Sequence, residues 1–88
     1  MLYTYNDILN IKKDMQWVIA EIHTNPKLCN NTYLQELAVG IESELWAYDD
    51  LLNRISPSEI FDSTKSDYKF LDVTSELIGK IKTNISHI

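Results

Sequence analysis

Few side chains in this sequence could serve as nucleophile, base or metal ligand. It has two histidines, His23 and His87, and one cysteine, Cys29. A catalytic site needs a nucleophile beside a base, or a metal held by several donors, inside a pocket. His87 is the penultimate residue, where chains fray. His23 stands where the first helix is expected to end, and a cationic side chain there suits the helix dipole. A zinc site built on His23 and Cys29 lacks both the usual ligand spacing and two further donors. Cys29 has no evident base partner and reads as a plain loop residue. Asp62, Asp67, Asp72 and Glu76 alternate with Lys65, Lys69 and Lys80, as on a solvated helix face. No glycine-rich phosphate loop is present among the two glycines. The expectation is a protein that is not an enzyme and carries no metal and no cofactor.

The remaining chemistry is that of binding. Val39 and Trp46 are seven residues apart and share a helical direction more than about 100° from the expected core stripe. Glu42, Asp49 and Asp50 surround them, and no Lys or Arg occurs between Lys27 and Arg54. Leu9 and Trp17 likewise lie opposite the stripe of the first helix. An exposed Trp among charged neighbours has the composition of an interface anchor. The other reading is that a central helix is buried on two sides, with Trp46 and Trp17 in the core, against each other. Under the first reading Val39, Glu42, Trp46, Asp49 and Asp50 form the partner-binding site.

The elements that would hold these residues follow from periodicity. Thr4 and Asp7 have the spacing of a capping box, and Ile8, Ile11, Met15, Val18 and Ile22 keep one face of a helix. His23-Thr24-Asn25-Pro26 ends it, because Pro26 disfavours a helical Asn25. Asn30, Asn31 and Thr32 offer competing caps for a second helix. Leu34, Ala38, Ile41, Leu45, Tyr48, Leu52 and Ile55 then alternate steps of four and three, with Leu37 and Leu51 widening the stripe. Gly40 costs about 1 kcal/mol in such a helix, too little to break a helix of about 24 residues, roughly 36 Å long.

Ser56-Pro57-Ser58-Glu59 predicts a helix restart, with Ser56 as cap and Glu59 as its reciprocal. Ile60-Phe61 then reads as an apolar anchor on a single helical turn, and Asp62 to Ser66 as a loop. Ser63 or Ser66 is expected to cap a third long helix, whose stripe is Leu71, Thr74, Ile78, Ile81 and Ile85, with Phe70 and Leu77 beside it. The predicted fold is all-α: an antiparallel helical bundle of three long helices plus one short helical segment, in one domain spanning residues 1–88. Leu34, Ile41, Leu45, Leu52 and Ile78 are the expected core.

Composition fits that class. The chain of 88 residues is 44% hydrophobic and 24% charged, with two Gly and two Pro, unlike a disordered or all-β chain. Thirteen acidic residues against eight basic give a net charge of −5. Nucleic acid is thereby an unsuitable partner, since duplex binding needs a basic stripe. Anionic lipid is repelled as well, and no apolar run approaches the roughly 18 residues of a membrane span. A basic protein is the natural complement. The single cysteine and the absence of a signal-like N-terminus lead us to expect a cytoplasmic protein, a monomer or weak dimer. Asn30-Asn31-Thr32 and Asn84-Ile85-Ser86 match the glycosylation pattern only by chance on that reading.

The stretch Asn25-Pro26-Lys27-Leu28-Cys29-Asn30-Asn31-Thr32-Tyr33-Leu34-Gln35-Glu36-Leu37 resembles a passage of bacteriocin immunity proteins of the enterocin A immunity type. In that family an amphipathic helix ends in an Asn-Pro or Asp-Pro turn, followed by a polar segment and a Leu-rich helix. Ile41-Glu42-Ser43-Glu44-Leu45 and Leu51-Leu52-Asn53-Arg54-Ile55 are similar to its continuation, so the resemblance covers residues 5–55. It implies a cytosolic four-helix bundle that protects a bacteriocin producer by acting on a toxin or toxin–receptor complex. After Ile55 the chain departs from the pattern, since Pro57 breaks it where the family continues as helix. The charge suits a second possibility, an acidic inhibitor of a basic intracellular protein, such as an antitoxin, a nuclease immunity protein or a phage-encoded anti-defence protein. A third is a structural helper that oligomerises through its outer face.

Overall fold

The computed structural model describes residues 1–86. Its elements run β1 (Leu2–Thr4), α1 (Tyr5–Thr24), α2 (Thr32–Arg54), β2 (Ile60–Asp62), a 3-10 turn (Ser66–Tyr68) and α3 (Lys69–Ser86). Three long helices make a bundle, and the two short strands form an antiparallel ribbon across one end. His87 lies outside the described residues.

The caps explain where the helices begin. Asp7 N–H donates to Thr4 Oγ1 at 3.2 Å while Thr4 N–H donates to Asp7 Oδ2 at 3.0 Å, completing the expected capping box. Ile8, Ile11, Met15, Val18 and Ile22 are all buried, each contributing about 1.5–3 kcal/mol by leaving water. Asn25 turns extended before Pro26, and its side chain accepts from Lys27 N–H at 2.9 Å. The turn is pinned by Leu28, which is buried. Of the three competing caps for α2, Asn31 is used: its Oδ1 accepts from Leu34 N–H at 3.2 Å. The Gln35 amide then donates to the carbonyls of Ile22 and Cys29 at 3.3 and 3.1 Å, tying the start of α2 to the end of α1.

Contacts fix the directions. Ile22 meets Gln35, His23 meets Glu42 and Lys12 meets Asp49, so α1 and α2 are antiparallel. Tyr3 meets Asp72 and Asp14 meets Lys82, so α3 runs along α1 in the same direction. The α2 helix is unbroken through Gly40 over 23 residues, about 35 Å, and it sets the 40 Å long axis of the molecule.

Two expectations about the core need correction. Ile41, Leu52 and Ile78 are buried as expected, but Leu34 and Leu45 are only half-buried and pack on the core's edge. The stripe of α2 is wider than the groove that receives it, so its margins stay wet. Leu9, expected opposite the stripe, packs partly against the core.

The segment after α2 differs most from expectation. The reciprocal contact at the restart does form, with Ser56 N–H donating to Glu59 Oε1 at 3.0 Å, but no helix follows. Ile60-Phe61 is not a helical turn: it pairs in β2 with β1, in the register Leu2↔Asp62, Tyr3↔Phe61 and Thr4↔Ile60. Strand alternation sends Tyr3 and Phe61 inward and leaves Leu2 and Ile60 outside. The short segment that is helical comes later, as the 3-10 turn preceding α3, and no side chain caps it. The Ser63 hydroxyl has another task, described below. Leu71, Thr74, Ile78, Ile81 and Ile85 are the buried stripe of α3, as the spacing predicts.

Candidate functional site

On α2, Ala38, Ile41, Tyr48 and Leu52 are buried. The helix therefore carries Val39 and Trp46 out of the core, 62% and 82% exposed. Glu42 and Asp49 stand one turn before and after Trp46, and Asp50 beside it, so the five residues named from the sequence share one outer side of α2. Of the two readings of Trp46, exposure on the surface is the correct one. Trp17 is different. It is 41% exposed, and Lys82 of α3 lies over its ring at 5.9 Å while bonding Asp14 at 3.1 Å. The two tryptophans do not pack on each other: Trp17 joins α1 to α3, and Trp46 faces solvent.

The carboxylates around Trp46 are less free than the sequence implies. Asp49 pairs with Lys12 of α1, Glu42 lies 3.3 Å from His23 of α1, and Asp50 pairs with Arg54 at 2.8 Å one turn on. The missing basic residues of α2 are supplied by α1, across the helix pair and invisible to local spacing. Exposed pairs of this kind are worth roughly 0–1 kcal/mol, so a partner's cation can replace the resident one at small cost. Trp46, Asp49, Asp50 and Asn53 border a shallow hollow that could take such a side chain.

A second cluster was not foreseen. Asp72 of α3 accepts from the Tyr3 hydroxyl at 2.5 Å and from the Ser63 hydroxyl at 2.6 Å. The Ser63 backbone N–H donates to the Met1 carbonyl at 2.9 Å, with its hydroxyl 3.0 Å from the same oxygen. The Ser63 hydroxyl, then the Tyr3 hydroxyl, hold the Asp72 carboxyl below the usual carboxylate range. Burial first, and the Asp72 carboxylate second, push the Tyr3 phenol up to about 12. Ser63 is buried, and through Asp72, Tyr3 and the Met1 carbonyl the cluster clasps the ribbon to α3. Burial also pushes Tyr48 up to about 12, opposed by the nearby Thr74 hydroxyl, although no hydrogen bond of good geometry to the Tyr48 hydroxyl forms among the described residues.

Among the described residues, no group of three or more His, Cys, Asp and Glu is placed to hold a metal ion. Cys29 is exposed, its sulfur 3.8 Å from the Pro26 carbonyl. No helix of the described chain is long and apolar enough to cross a membrane. Compared with protein-family models, curated proteins and solved structures, the chain finds no match in any of the three.

Proposed function

We propose that this chain is a protein-binding module of the bacteriocin immunity type, protecting a cell by seating Trp46 on a toxin or on a toxin–receptor complex. It performs no reaction of its own and works in the cytoplasm as a monomer or weak dimer. The observation that carries the reading is Trp46, 82% exposed on the outer side of α2. A large aromatic held on a stable helix loses little entropy on docking, and such residues dominate interface energetics. Val39 extends the apolar contact, and Glu42, Asp49 and Asp50 complement a basic rim chiefly through association rate. The resemblance over residues 5–55 supplies the immunity class.

The net charge of −5 favours a second reading, an acidic inhibitor of a basic intracellular protein. Both use the same face. Bacteriocin-sensitive cells expressing the chain should survive challenge under the first reading. Under the second they should not, and a basic intracellular protein should co-purify. In either case Trp46→Ala should weaken binding by roughly 2 kcal/mol or more with the melting temperature unchanged. Undiminished protection or binding by that variant would rule out Trp46 as the anchor.

A further inference from the structure

The bundle leaves one of its three helix–helix seams open. α1 packs along both α2 and α3, whereas the backbones of α2 and α3 scarcely approach each other. Between them lies an apolar hollow of about 340 Å³, lined chiefly by Leu37, Gly40 and Ile41 of α2 and by Phe70, Val73 and Leu77 of α3. It continues past the shared Leu37 and Leu77 into a second hollow of about 220 Å³, reaching Tyr33 and Ile85. From Phe70 to Ile85 the groove follows α3 for about 22 Å, some four helical turns. Val73 and Tyr33 are 66% and 68% exposed along it. Gly40 deepens the middle, since a Cβ there would meet no atom within 4 Å.

We propose that this seam is a docking site for an amphipathic helix of another protein, whose apolar stripe is bordered by Lys or Arg. Length and shape call for a helix, because packed helix axes lie about 8–10 Å apart and ridges of side chains enter such a groove. Charge selects the partner. The charged residues lining the wider hollow are Glu36 and Glu44, and the one charged residue lining the narrower hollow, Lys80, is paired with Glu76 at 3.2 Å. Glu36 and Glu44 lie eight residues apart, about 12 Å along α2, and neither forms an ion pair among the described residues. A second copy, itself at −5, would bring like charge to that rim. Leu37 is nine residues before Trp46 and so about half a turn away around α2. The seam is thus a separate surface and does not depend on the role of Trp46.

The test uses a synthetic peptide of roughly 18 residues, with Leu at helical i, i+3, i+4, i+7 spacing and Lys elsewhere, titrated into the isotopically labelled protein. A Leu/Glu peptide of the same pattern and a scrambled Leu/Lys peptide are the controls. The methyl signals of Leu37, Val73, Leu77 and Ile81 should shift with the patterned basic peptide and not with the controls, while the Trp46 indole signal stays in place. Gly40→Leu, whose Cβ would meet no atom within 4 Å, should fill the groove and weaken binding about tenfold or more with no fall in melting temperature. Glu36→Gln with Glu44→Gln should weaken it several-fold, most at low salt. Equal binding of either control, shifts centred on Trp46, or full binding by Gly40→Leu would overturn the proposal. So would self-association of the wild type that Gly40→Leu abolishes, since a second copy would then be the occupant.

Discussion

The α1–α2 and α2–α3 contacts share one helix and similar apolar residues, yet one is sealed and the other open. Along α1 the buried stripe from Ile8 to Ile22 runs the full length of the helix, and Gln35, Glu42 and Asp49 of α2 reach across to bond its margin. Along α3 the buried stripe turns chiefly to α1 and the ribbon, where Lys82 meets Asp14 and Asp72 meets Tyr3 and Ser63. Phe70, Val73 and Leu77 are left on its flank, facing a glycine and two carboxylates. A helix can therefore be fixed to a bundle through one neighbour and a clasp, leaving its other apolar margin available.

The sharpest way to break this comparison is to truncate both sides. Ile22→Ala, fully buried in the sealed contact, should cost about 2–5 kcal/mol. Leu77→Ala, on the open seam, should cost under about 1 kcal/mol. Denaturant midpoints that moved equally would mean that the seam is closed in solution. Tyr48 lies where the seam meets the core, its ring edge-on to Phe70 at 5.6 Å, and its buried hydroxyl has Thr74 nearby but makes no hydrogen bond of good geometry among the described residues. Removing that hydroxyl in Tyr48→Phe should raise stability by about 1 kcal/mol. A loss in thermal melts would show that a partner, nearby Thr74 above all, satisfies it.

The smallest effects concern the clasp and depend on pH. Asp72 is held below its ordinary range in the folded state. Its contribution is therefore present above the unfolded carboxylate value of about 4 and is lost as pH falls through the depressed folded value. Tyr3 and Tyr48 are raised to about 12. Their contribution is complete below the unfolded phenol value of about 10 and is lost as pH rises through the folded one. Acid unfolding should consequently be less steep in Asp72→Asn, and phenolate absorbance should show Tyr3 and Tyr48 titrating late. Identical acid transitions in the two proteins would mean that Asp72 does not fasten α3.

Much of this was legible from local pattern. The unbroken steps from Leu34 to Ile55 fixed α2 and, by phase, turned Val39 and Trp46 outward. Thr4 with Asp7, and Asn25 before Pro26, marked the ends of α1. The ribbon was not legible, because Tyr3 and Phe61 make strands of three residues with no alternation long enough to read. Ser56 to Glu59 even carried a true helix-start contact, which the pairing of Ile60 with Thr4 overrode. The side chains that meet Glu42 and Asp49, His23 and Lys12, come from α1, and the open seam depends on helix spacing. Neither leaves a trace in the residues of α2 alone.

The ribbon also makes residues 1–4 a remote handle on α3. Met1 offers its carbonyl to Ser63, and Tyr3 gives its hydroxyl to Asp72 while covering Phe61 from the opposite strand. Loss of residues 1–4 would strip Ser63 of an acceptor, Asp72 of a donor and Phe61 of its strand partner. The damage would fall on the anchorage of α3, more than sixty residues away in sequence, with α1 and α2 still joined by their own contacts.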